Sequence, residues 1–186
     1  MYLTLQLILS HFLADYPLQP GSLVKLKYKK VVGVLLHALV HLVLMILLCI
    51  PFLYLQTVQL SLIIIFVTHL AIDFGKVTMD RNYPKINKFI LYIGDQVAHM
   101  LVMLYCSILI IGKTEPAFAG GLYNYLSENA IFSFILVLTL VTYFYDVTRW
   151  TYRNSIESVA YKRDYRMMIK NAIIVAIAYG AYWVFK

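Results

Sequence analysis

The chain holds five histidines, and each stands four residues from a second residue able to bind a metal. The pairs are His11 with Asp15, His37 with His41, His69 with Asp73, and Asp95 with His99. Adding 58 to the first quartet (11, 15, 37, 41) returns the second (69, 73, 95, 99). The flanks repeat as well: Ser10-His-Phe-Leu-Ala-Asp-Tyr16 stands against Thr68-His-Leu-Ala-Ile-Asp-Phe74. Residues four apart share one face of a helix, so each pair forms a two-donor face. Imidazole and carboxylate together suit zinc, and also manganese or iron. Eight donors are enough for one or two ions. All eight lie in apolar segments, where an ionisable group is costly and function is the default reading.

The elements that must carry these faces are membrane helices. Hydrophobic residues make up 62% of the 186 residues and charged residues 13%. Apolar runs long enough to cross a bilayer, about 20 residues, predict an all-α fold of six transmembrane helices near 2–18, 31–54, 57–79, 87–111, 129–148 and 168–185. The first run lacks the basic start and the small-residue cleavage site of a signal peptide, and it carries half a quartet. One domain, 1–186, is expected. Its repeat units are about 1–56 and 57–114, a parallel tandem duplication with an axis along the membrane normal, and accessory helices fill 128–186.

The net charge of +7 sits in alternate loops. Bases cluster at Lys25, Lys27, Lys29 and Lys30, at Lys76, Arg81, Lys85 and Lys88, and from Arg149 to Lys170, whereas 51–56 carries no charge and Lys113 stands beside Glu115. Such alternation marks the cytoplasmic side. It predicts both termini outside, and it explains the basic balance without a nucleic-acid partner. With that topology all four pairs fall in the cytoplasmic half, roughly 10–15 Å from the inner helix ends at about 1.5 Å per residue. Cys49 and Cys106 lie inside spans and read as small packing residues.

A metal site at that depth would meet amphiphiles. The expected partners are the lipid bilayer and a lipid-like substrate, and the expected activity is metal-dependent hydrolysis of an ester, amide or phosphoester, with Asp73 or Asp95 as base. The opposing class is a divalent-cation or proton-coupled transporter built on the same cluster. Haem ligation fits poorly with three carboxylates, and interhelical hydrogen bonding alone is the plain structural alternative. Gln19 and Gln96 neighbour the quartets as candidate outer donors. Lys76, one turn past Asp73, reads as a base snorkelling at the inner edge, with a phosphate or headgroup contact as its alternative, Asp146 and Arg149 as a pair, 150–166 as a basic aromatic stretch along the membrane surface, and 124–128 as a helix start capped by Ser127.

Four motifs resemble those of a bacterial membrane family, a domain of unknown function numbered three-three-zero-seven. They are His-Phe-Leu-Ala-Asp-Tyr-Pro-Leu-Gln at 11–19, His-Ala-Leu-Val-His at 37–41, Thr-His-Leu-Ala-Ile-Asp-Phe-Gly-Lys at 68–76 and Asp-Gln-Val-Ala-His at 95–99. The resemblance covers the first four spans and implies the inner membrane of a bacterium. A looser similarity is to membrane-bound metal-dependent hydrolases, whose arginine-and-glycine-bearing histidine motif is replaced here by His37-Ala-Leu-Val-His41.

Overall fold

Apolar runs interrupted by proline and by basic loops fold into helices packed side by side. The computed structural model describes residues 2–110, 130–157 and 160–185. Lys113, Glu115 and the helix start at 124–128, with its Ser127 cap, lie outside the described residues. Seven helices are described: α1 (Tyr2–Asp15), α2 (Gly21–Lys29), α3 (Val31–Cys49), α4 (Gln56–Asn82), α5 (Lys88–Ile110), α6 (Ile131–Glu157) and α7 (Tyr165–Phe185). No strand occurs among the described residues.

Five helices, α3 to α7, are long and apolar enough to cross a bilayer. The sixth expected span differs. α1 has 14 residues, a rise of about 21 Å against a hydrocarbon core of about 30 Å. Its early end has a local cause. Pro17 and Pro20 follow it, and proline cannot continue a helix. The positions 58 residues on are Gly75 and Thr78, and there α4 runs on to Asn82. The two sequence units are therefore unlike at this end: where α4 continues, the first unit breaks and starts a new helix, α2.

α2 turns back on α3 through a single extended residue, Lys30 (φ −142°, ψ 142°). The two helices approach closely because position 33 is glycine. A Cβ at Gly33 would collide with the backbone of Leu26 and Lys27. This packing turns Lys27 inward; it is a buried residue of an otherwise basic, exposed helix. α5 is started by Asn87, whose side-chain oxygen accepts from the amides of Phe89 (2.9 Å) and Ile90 (3.2 Å), as an N-cap does.

α1, α3, α4 and α5 close into a ring, each packing on two of the others; α6 lies against α1 and α5, and α7 against α6. Leu7, Met45, Phe52, Leu62, Met103 and Ile110 belong to a buried apolar cluster at one end of the ring. The His and Asp pairs occupy the other end, next to the basic loops. α6 continues helically through Trp150 to Glu157, which makes the first half of the basic aromatic stretch 150–166 part of this helix. Inside α6, Leu140–Phe144 forms a π-helical segment, and the Asn171 amide of α7 donates to the Val141 carbonyl at 2.7 Å. The expected Asp146–Arg149 pair is replaced by ties to the segment before α7. Asp146 accepts from the Tyr161 hydroxyl (2.9 Å) and the Asp164 amide (3.3 Å), while Arg149 reaches Asp164 at 3.6 Å.

Candidate metal centre

All eight residues chosen from the sequence meet in one cluster. α1 supplies His11 and Asp15, α3 supplies His37 and His41, α4 supplies His69 and Asp73, and α5 supplies Asp95 and His99. Seven are buried, and only Asp15 keeps a partly exposed edge. The donor atoms form three overlapping groups, each with its atoms within 4.8 Å of one another: Asp15, His37, His41 and His69; His11, His69 and His99; and Asp73, Asp95 and His99. Two histidines, His69 and His99, link the groups. Their rings lie face to face with centroids 4.2 Å apart, and His41 stands 3.8 Å from His69.

The first group is the tightest. The Nε2 atoms of His37 and His41 are 3.1 Å apart, and each lies 3.0 Å from Asp15 Oδ1. A proton can serve one edge of this triangle at a time. A cation facing its centre would engage all three donors. Ligands about 2.0–2.1 Å from a tetrahedral zinc stand about 3.3 Å apart, close to the observed edges. Elsewhere in the cluster, buried His69 Nε2, His99 Nε2 and Asp95 Oδ1 make no aligned hydrogen bond, although His99 Nε2 is 3.5 Å from Asp95 Oδ1 and His69 Nε2 is 3.5 Å from Asp73 Oδ2. Buried polar atoms are normally satisfied, so unsatisfied donor atoms among nitrogen and oxygen ligands fit a divalent ion. These groups could hold one; the donor set alone leaves the element open among zinc, manganese and iron.

Glutamines orient the donors. Gln96 Nε2 donates to Asp15 Oδ2 and to Asp95 Oδ2, both at 3.1 Å, and its Oε1 is 3.4 Å from His11 Nε2. It thus joins α5 to α1. The Gln19 amide is 2.9 Å from His37 Nδ1. The same amide nitrogen is 3.3 Å from His37 Nε2, so Gln19 packs against the edge of this imidazole as an outer neighbour of the group.

Two lysines oppose two of the three carboxylates. Lys27 Nζ is 2.8 Å from Asp73 Oδ2, an ion-pair distance without hydrogen-bond alignment. Lys76 Nζ donates to Asp95 Oδ2 at 2.7 Å and lies over the Tyr92 ring. The sequence reading put Lys76 at the inner edge and missed Lys27 altogether. Lys76 had a signal, since it stands one turn beyond Asp73. Lys27 had none: in a run of four lysines within six residues, nothing local marks the one that turns inward. Tyr16 and Tyr92 were also missed; their hydroxyls are 2.8 Å apart, and Tyr92 continues to Thr148 at 2.9 Å, tying the centre to α6.

A cavity of about 560 Å³ reaches the centre from the basic end, with Asp15, Asp73, Asp95 and Gln96 in its wall. That is within the usual range for a small-molecule site, about 300–1,000 Å³. On the far side of the cluster, a space of only about 10 Å³ lies among His11, His41, His69 and His99, backed by Met45 and Met103. It is the size of one water molecule or ion. Carboxylates facing an accessible cavity, with buried imidazoles behind them, can bind an ion and activate water on it.

No curated protein and no solved structure matches the chain, and the looser hydrolase likeness finds no counterpart there. A family model described as protein of unknown function (DUF3307) matches residues 3–120, well over half of the 186 residues. The match runs across the ring helices and all eight candidate ligands, and the chain belongs to that family.

Proposed function

We propose that the chain is a six-span, membrane-embedded, metal-dependent hydrolase, with the bilayer thinned around the short α1. Its His/Asp centre, near the cytoplasmic face, would hold one or two divalent ions, zinc first, and cleave a lipid or another membrane-associated substrate. The observation that carries this reading is a one-sided cavity. All three candidate carboxylates line a space of about 560 Å³ at the basic end, and the opposite end is filled by the apolar cluster around Met45, Phe52 and Met103.

A divalent ion held by these donors supplies Lewis acidity and brings the pKa of water toward neutrality. The chain's own residues do the rest. Asp95 and Asp73 line the cavity and serve as base for the attacking water. Gln96 holds Asp15 and Asp95 in register across the ring, and Lys76 stands beside Asp95 in the cavity wall. The basic residues of α2, α4 and α5 surround the cavity mouth, which supports a cytoplasmic opening and outward termini under the positive-inside rule. The equal His11–Asp15 and His69–Asp73 separations, 3.5 Å each, and the pairing of α1 with α3 and of α4 with α5 support a parallel duplication.

Transport through the same cluster is the second reading, favoured by Gln6, Ser61 and Ser107, which are buried polar residues in the apolar half. Against it, Ser107 donates to the Met103 carbonyl of its own helix, and the space beside the histidines is about 10 Å³. Two measurements separate the readings. Metal analysis of purified protein should find one or two ions per chain; less than about a tenth of an equivalent, without chelator exposure, removes the metal. Lipid phosphoesters, esters and amides should then be screened with added zinc or manganese. Metal-dependent flux in proteoliposomes with no product from any lipid would establish the transporter instead.

A further inference from the structure

We infer that the cavity takes the phosphate of an anionic amphiphile, with Lys27 and Lys76 as the residues that bind it. The inference deepens the hydrolase reading by naming a substrate class. It relies on that reading for the ion and on the cavity itself for the cations.

Lys27, from α2, and Lys76, from α4, both line the cavity. Both are spent on carboxylates of the candidate centre: Lys27 on Asp73 at 2.8 Å and Lys76 on Asp95 at 2.7 Å. Asp73, Asp95 and His99 form one of the three groups that could hold an ion. An ion taking those carboxylates competes with the ammoniums for the same oxygens. Metal-binding imidazoles are neutral, so only carboxylates and lysines count. Three carboxylates against two lysines leave one negative charge. One divalent ion turns this into one positive charge, and two ions into three. A buried ammonium deprived of its partner is strongly unfavourable. An anion in the cavity restores the balance, and a neutral ester or amide does not.

The rest of the wall agrees. Arg163 also lines the cavity; it rests on the Tyr143 ring with 5.1 Å to the centroid and donates to the Tyr161 hydroxyl, so its charge is held by aromatic groups. Lys25 and Lys88 stand further out, the latter paired with Asp80. Val24, Leu91, Val147 and Trp150 supply apolar wall between the cations. A cavity of about 560 Å³ is far larger than a phosphate and has room for the glyceryl portion of a lipid. Cleavage there would be hydrolysis. The water oxygen bonds to phosphorus, the phosphorus–oxygen bond to the alcohol breaks, and the proton taken from water passes to the leaving oxygen.

Binding tests this without requiring turnover. The chain has two tryptophans, and W183F leaves Trp150, in the cavity wall, as the single reporter. Zinc-loaded protein in detergent is titrated with phosphatidate, with diacylglycerol and with inorganic phosphate. Phosphatidate should change the Trp150 emission saturably, and diacylglycerol should not. Lys27→Gln and Lys76→Gln should each weaken phosphatidate by about tenfold or more, the worth of one charge-assisted contact. Lys27→Arg should retain most of the affinity, and Lys29→Gln, an exposed change of equal charge on the same helix, should match the wild type. Inorganic phosphate binding as tightly as phosphatidate would support the phosphate site and identify free phosphate as its source. Diacylglycerol binding as well as phosphatidate would overturn the inference. So would both Gln variants binding phosphatidate within about twofold of wild type at a temperature where circular dichroism shows each of them folded. Zinc content is read on the same samples, so loss of the metal reading is recorded separately from loss of the anion site.

Discussion

Gln96 is the side chain whose replacement tests the geometry most directly. It lies on α5 and donates to Asp15 and Asp95 at 3.1 Å each, with His11 Nε2 3.4 Å from its oxygen. Gln96→Leu keeps most of the volume and removes every one of these contacts. Hydrogen bonds to charged groups contribute about 1.5–3 kcal/mol each, so the two amide bonds set an upper bound of about 3–6 kcal/mol. Gln96 lines the cavity, where water can replace part of the loss, and about half the bound, about 1.5–3 kcal/mol, is the expected effect. At about 1.4 kcal/mol per factor of ten, zinc affinity should fall by about 10–100-fold, the range for residues that orient metal ligands. The assay is a zinc titration of metal-free protein against a competing chelator. Gln96→Glu gives the opposite test, since it sets a third carboxylate beside Asp15 and Asp95. The metal-free variant should unfold at lower temperature than wild type, and zinc should recover the difference. A Gln96→Leu protein with zinc affinity within about threefold of wild type, or a Gln96→Glu protein indifferent to zinc, would refute the placement of an ion among these residues.

Other outcomes follow from the same contacts. Asp73→Asn strands the Lys27 ammonium and should destabilise the protein by about 3–5 kcal/mol; the double variant with Lys27→Gln should recover most of this in thermal unfolding. Asp95→Asn should lower turnover of a cleaved lipid by about 10²–10⁴, the usual contribution of a general base, with metal content measured beside it to separate lost chemistry from a lost ion. Gly33→Ala places a Cβ against the Leu26 and Lys27 backbone and should cost about 1–3 kcal/mol by overpacking, visible as a lower unfolding temperature. Chelator treatment should lower stability by about 2.7 kcal/mol relative to protein held at one hundred times its dissociation constant of zinc.

The amino-acid sequence by itself determined the five long helices and the convergence of the eight donors. Apolar run length places the helices. The four-residue spacing puts two donors on one face of each of α1, α3, α4 and α5, and each pair lies toward the helix end that is next in sequence to a basic segment. These are short-range or one-dimensional properties, and a single chain carries them openly. The end of α1 was also written locally, in Pro17 and Pro20, although the run of apolar residues masked it.

Only the tertiary structure decided the rest. Lys27 reaches Asp73 because α2 reverses at Lys30 and packs on Gly33, a contact between residues 46 positions apart in the chain that no periodicity encodes. The Gln96 bridge needs the actual separation of α1 and α5. α6 runs on to Glu157 although its last turns read as a basic surface segment, because Trp150 and Thr151 face the cavity and Asp146 ties the Tyr161–Asp164 segment back onto the helix. The cavity had no signature in any one segment. It is the volume left when α2, α4, α5 and α6 pack around unequal side chains, and a void is a property of several surfaces together rather than of any stretch of sequence.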